Sequence, residues 1–243
     1  MIRYWWTNKK DDIMDNRNII THFGLNLMQS KYGLKLTRDK YAIINNKSSF
    51  KDCLLLPAKY YTDETGKFYT DEWCIKHQKD CLDNFDLSMK YFSLLNKNEF
   101  DSEINKFLKK YKSFKKVMDL NNYENISGVY LMVLDKYKQL YIGVSNNIKR
   151  RIKQHWINYK SFDRLLFPIG AVETSVMCID SFRALDTTRI YISQYDNYFD
   201  VEDKYINYFS PKFLCNRIGG GKYGDSLSMA IYALSTMKSK ELK

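Results

Sequence analysis

Between Gly128 and Val144 the chain runs through two apolar stretches, Gly128-Val-Tyr-Leu-Met-Val-Leu134 and Gln139-Leu-Tyr-Ile-Gly-Val144, parted by the polar Asp135-Lys-Tyr-Lys138. Short β-branched and aromatic runs on either side of a polar turn predict a hairpin. Ser145-Asn-Asn147 then offers capping side chains, and Ile148, Ile152, His155, Trp156 and Tyr159 fall on one stripe, which predicts a helix to about Tyr159. A third strand is expected over Val172 to Ile179 and a second helix over Val201 to Phe209, stopped before Pro211. Strand, strand, helix, strand, helix is the order of a small, mostly antiparallel three-stranded sheet flanked by helices, an α+β arrangement.

Upstream the pattern differs. Residues 1–120 read as a mainly helical N-terminal domain with one hairpin, in which Lys59-Tyr-Tyr-Thr62 and Lys67-Phe-Tyr-Thr70 flank Asp63-Glu-Thr-Gly66. Asp71 suits the N-cap of a helix to about Leu82. From Asp101 to Met118, Ile104, Phe107, Leu108, Tyr111, Phe114 and Met118 recur at three- and four-residue steps, with Lys106, Lys109, Lys110, Lys112, Lys115 and Lys116 between them. That spacing predicts an amphipathic, strongly basic helix, read as a solvated lysine face or as a phosphate-contacting one. Asp119 to Asn125 loses the periodicity and is taken as a boundary. It leaves a second domain over 126–222 and an amphipathic helix over 223–243, finishing the core or meeting a second subunit.

Composition narrows the function classes. A chain of 243 residues, 44% apolar, suits one large or two modest domains. The formal charge of +11 fits a polyanionic partner, although abundant Lys, Asn, Ile and Tyr are equally the signature of an A/T-rich genome. Five cysteines and an N-terminus without an apolar signal region point to a reducing, cytoplasmic setting. No apolar run approaches the ~20 residues that cross a bilayer, so no membrane association is expected. Three histidines exclude chemistry built on a multi-histidine metal cluster. Cys74, His77 and Cys81, with Cys53 upstream, have tolerable zinc spacing, but three of them share one helix face, where cysteine is more often a small buried hydrophobe.

The second half gathers a particular set of side chains. Tyr130 and Tyr141 sit on the two strands of the hairpin, Arg151 and His155 lie four apart on the next helix, and Glu202 opens an otherwise apolar-aromatic one. Singly, each tyrosine is better read as cross-strand packing, and Glu202 as a structural acid or a metal ligand. Together they match phosphodiester hydrolysis: an arginine steadies charge on a phosphate, a carboxylate holds a hard divalent ion, and a phenol relays a proton.

The order of these residues resembles the GIY-YIG nucleases. Gly128-Val-Tyr130 stands at the family's first tripeptide and Tyr141-Ile-Gly143 matches its second. Arg151 and His155 fit its Arg-x-x-x-His helix, and Glu202, Ile206, Pro211 and Asn216 its later elements, over about Ser127 to Gly221. Val129 replaces the usual Ile, and Val144 stands where a hydroxyl residue is common, with Ser145 adjacent.

The resemblance implies a one-metal hydrolysis. Glu202 would hold Mg2+ or Mn2+ at the leaving 3' oxygen, Arg151 would bind the scissile phosphate, Tyr130 would activate water, and Tyr141 and His155 would position it or share the proton work. Asn216 would fix the geometry, and Lys149, Arg150, Lys153 and Lys222 would contact substrate. The expected activity is a DNA endonuclease, with RNA also open, acting in restriction or another defence. A homing or mobile-element enzyme is the alternative, and a binding or regulatory protein without cleavage the reading from another class. One site cuts one strand, so double-strand cutting implies a homodimer or two visits.

Overall fold

The computed structural model describes residues 18–32, 35–42, 70–160, 162–166, 172–195 and 201–216. The expected hairpin, apart from its last residue Thr70, together with Cys53, Lys222 and the helix over 223–243, lies outside them. Among the described residues the first elements are a hairpin of β1 (Ile19–His22) and β2 (Leu25–Met28), then the single-turn helices α1 (Gln29–Tyr32) and α2 (Arg38–Tyr41). The hairpin escaped the sequence reading because each strand has four residues. Its turn, Phe23-Gly24, takes positive φ at both positions, the geometry that tight hairpins need.

Helices α3 (Asp71–Leu94) and α4 (Lys97–Lys110) follow, each capped by a side chain: Thr70 accepts from the Trp73 amide and Asn96 from that of Glu99. Two expected boundaries are corrected here. No Gly or Pro interrupts the chain after Leu82, so α3 runs on to Leu94. The basic helix starts earlier and ends at Lys110. Beyond it, Lys115–Lys116 (β3) pairs with a strand of the main sheet, and Val117 donates to the Ile190 carbonyl at 2.9 Å. Phe114 and Met118 kept helical spacing by coincidence. The lysines of α4 are exposed, while Phe100, Ile104 and Phe107 are buried beneath them.

The main sheet has four antiparallel strands in the order β3-β6-β4-β5, where β4 is Gly128–Leu134, β5 Gln139–Ser145 and β6 Arg189–Gln194. It replaces the expected three-stranded sheet. Val172 to Ile179, the expected third strand, is a turn and irregular chain leading into a 3-10 turn over Ile179–Ser181. Every residue of β4 is buried, as suits a central strand with both faces covered. Helix α5 (Ile148–Ile157) packs on one face through Ile148, Ile152, His155 and Trp156, capped by Asn147. Helix α6 is shorter than expected, Glu202–Ile206, and a 3-10 turn over Pro211–Phe213 follows.

Ion pairs tie these elements together at the end of the sheet away from the tripeptides' glycines. Asp135, after β4, accepts from Arg189 of β6 at 2.5 Å and from Lys97 of α4 at 3.1 Å, and Asp101 pairs with both of those cations. Asp186, almost wholly buried, accepts from the Leu36 and Arg183 amides and the Tyr137 hydroxyl. Residues on both sides of Asn125 contribute to one apolar core.

Candidate active site

Register places the two tyrosines. Tyr130 of β4 lies opposite Gly143 of β5, and Met132 opposite Tyr141, so Tyr130 and Tyr141 are diagonal neighbours on one face, their ring centres 6.1 Å apart. The glycine is a steric requirement: a Cβ on Gly143 would lie 2.4 Å from the Tyr130 hydroxyl. Gly128 is required too, having a φ of +150° and space for a Cβ only 2.2 Å from the Ser193 carbonyl oxygen.

Helix α5 brings its side chains against this face. The Tyr130 hydroxyl meets His155 Nε2 at 2.9 Å, and the Tyr141 ring centre lies 4.9 Å from that of His155. On the far side of the imidazole, Nδ1 meets Asp180 Oδ1 at 2.7 Å. Asp180 was missed by sequence reasoning. It belongs to the 3-10 turn after an irregular stretch, and no local spacing connects it with His155. Arg151, one turn before His155, is exposed and directs its charge at both tyrosines.

Burial governs the electrostatics. It pushes the Tyr130 phenol well above the ordinary tyrosine range, with the neighbouring Tyr141 adding to the rise and Arg151 opposing it. Tyr141 is raised as well, by burial and then by Glu202. Burial also lowers His155, outweighing its hydrogen bond to Asp180, so the imidazole is neutral near pH 7. For Asp180 burial pushes upward, but the hydrogen bond from His155 together with the charges of His155, Lys160 and Arg151 holds the carboxyl below its usual range. At rest the site therefore holds protonated tyrosines, a neutral histidine and an ionised aspartate.

Glu202 at the start of α6 is only 6% exposed, and among the described residues its carboxylate has no hydrogen bond or ion pair. Burial and then Asp203 push it up to about 7, with Arg151 opposing. A buried, unpaired carboxylate suits a divalent cation, which would supply the missing positive charge. No group of three or more His, Cys, Asp or Glu that could hold a metal occurs among the described residues. The fit is therefore that of a hard ion with one protein carboxylate, water and substrate oxygens completing its shell.

Asn216 is buried and clasps the backbone of β5, accepting from the Ile142 amide at 3.1 Å and donating to its carbonyl at 2.7 Å. This fixes the strand segment between Tyr141 and Gly143. The expected substrate-binding residues are less uniform. Arg150 is exposed, Lys153 is half-buried, and Lys149 is paired with Glu124 at 2.8 Å. Cys74, His77 and Cys81 are buried on α3, where the His77 imidazole meets the Phe162 carbonyl at 2.7 Å.

Residues 126–212 match the family model described as the GIY-YIG catalytic domain. The C-terminal part of the chain is a GIY-YIG domain. The matched range holds Tyr130, Tyr141, Arg151, His155 and Glu202, and Asn216 lies just past it. A GIY-YIG domain over these residues suggests a nuclease, a hydrolase acting on phosphodiester bonds, and with it a nucleic-acid substrate. No curated protein and no solved structure matches the chain. Among the described residues no helix is long and apolar enough to cross a membrane.

Proposed function

We propose that the protein is a divalent-metal-dependent DNA endonuclease, with Tyr130, Tyr141, Arg151, His155, Glu202 and Asn216 forming its active site. The observation that carries the reading is the hydroxyl of a fully buried Tyr130 set 2.9 Å from His155 Nε2, within the field of Arg151 and an unpaired Glu202. A phenol raised this far is not a resting base. Tyr130 Oη instead accepts a proton from water while passing its own to His155 Nε2. The water oxygen forms the new bond to phosphorus, the P–O3' bond breaks, and the leaving oxygen takes a proton from solvent. Arg151 offsets the charge that builds on the phosphate, and Tyr141 packs beside the Tyr130–His155 pair and holds it in place. Glu202 would hold Mg2+ or Mn2+, which when bound would supply Lewis-acid stabilisation of the developing negative charge.

We further propose a setting in restriction or another defence, with residues 1–120 serving target recognition. The test is nicking of supercoiled plasmid with Mg2+, beside linear duplex, single-stranded DNA and structured RNA, each with an EDTA arm. Arg151→Ala and Glu202→Ala are each expected to slow cleavage by on the order of 100-fold or more. Variants that cut as fast as the wild type sink the site assignment, and preference for RNA replaces the substrate.

A further inference from the structure

The Tyr130–His155 contact has a third member outside the residues that carry the family resemblance. Asp180 is ionised, so it has no proton to give; the 2.7 Å contact with His155 Nδ1 requires that Nδ1 carry the proton. A neutral imidazole protonated at Nδ1 is an acceptor at Nε2. The Tyr130 hydroxyl, 2.9 Å away, is then the donor, and its proton points along the path the proposed hydrolysis uses. We propose that Asp180 is a positioning residue that locks His155 in the Nδ1-protonated tautomer, making Nε2 a standing acceptor for the Tyr130 proton.

The surroundings hold Asp180 to this task. Arg183, mostly buried, donates to the Asp180 carbonyl and to the Trp156 and Asn158 carbonyls at the end of α5, which fastens the 179–181 turn to the helix that carries His155. The Arg183 guanidinium also lies 4.1 Å above the Tyr159 ring, so it is gripped on its face as well as its edge. Other charges facing the pair are those of Arg151 and Lys160. When His155 receives the Tyr130 proton it becomes an imidazolium whose two N–H groups face the phenol oxygen and Asp180, and the aspartate stabilises that charge without itself taking a proton.

The proposal rests on the nuclease reading, and its test separates the two. Full-length protein labelled with 15N-histidine is examined by long-range 1H–15N NMR, the His155 signals being assigned by their loss in His155→Gln. The wild type is expected to show a protonated Nδ1 and a bare Nε2. In Asp180→Asn the side-chain amide donates to Nδ1, so the tautomer inverts and Nε2 no longer accepts. Plasmid nicking by that variant is expected to lose on the order of 100-fold in kcat, with KM changed by less than about threefold, as for a residue acting through a catalytic histidine. Asp180→Glu, which keeps a carboxylate, is expected to recover part of the loss. A wild-type His155 protonated at Nε2, an Asp180→Asn protein with the wild-type tautomer, or one with kcat within threefold of the wild type overturns the proposal while the nuclease reading stands. A wild type that cuts no nucleic acid removes that reading and the catalytic role of Asp180 together, even with the expected tautomer.

Discussion

Gly143 shows how one missing methyl group shapes the site. A Cβ there would sit 2.4 Å from the Tyr130 hydroxyl oxygen, 2.5 Å from Cζ and 2.9 Å from Cε1 of Tyr141. Tyr130 is fully buried and bound to His155, so its ring has little room to retreat. Gly143→Ala is expected to cost about 1–3 kcal/mol through overpacking, measured by urea unfolding. Because the relief available is a displacement of the phenol, cleavage should fall by more than stability alone explains. Both tyrosines, Arg151 and His155 could be named from the sequence because the two tripeptides and the Arg-x-x-x-His spacing form one joint pattern, whereas the steric role of Gly143 needed the register. Asp180 could not be named, since its partner is remote in the chain and its own segment has no period to place it on a face.

The elements reached from sequence were those with their own signal. Strands β4 and β5 are continuous apolar runs, and the Ile148, Ile152, His155 and Trp156 stripe fixes α5. Strand β3 is too short for alternation to register. Strand β6 sits within a Tyr-, Asp- and Arg-rich stretch, where Arg189 reaches Asp135 and Asp101. That ion-pair network makes a prediction at this scale. For Asp135, burial pushes upward, but the hydrogen bonds from Arg189, Thr188 and Lys97 with the Arg189 charge together hold the carboxyl below its ordinary value, and Asp101 is lowered against burial by Lys97 and Arg189. Folded carboxyls with depressed pKa values stabilise the native state above their unfolded value, and that contribution fades as pH falls through the folded one. Thermal midpoints of the wild type should therefore drop between about pH 4 and lower values. Asp135→Asn is expected to flatten part of that drop and to cost about 1–3 kcal/mol at pH 7, because it leaves the half-buried Arg189 short of a charged partner.

At the scale of the molecule, the two halves read from sequence share one core and one sheet. Lys115 and Lys116, from before the matched range, pair with Ile192 and Tyr191 of β6. Leu214 to Asn216, from after it, run beside β5: Leu214 bridges to Leu140 in parallel, Cys215 donates to the Leu140 carbonyl at 2.9 Å, and Asn216 holds Ile142. A protein cut down to residues 126–212 would thus lose the cover from both outer strands and bare two rows of unsatisfied amides and carbonyls, templates for joining one copy to the next. Such a fragment is expected to form soluble aggregates or precipitate on size-exclusion chromatography, where one spanning 97–216 runs closer to its own mass. Most of the proposed site lies inside the matched range, with Asn216 just past it, and the cover on the sheet's two edges comes from the few residues that flank that range.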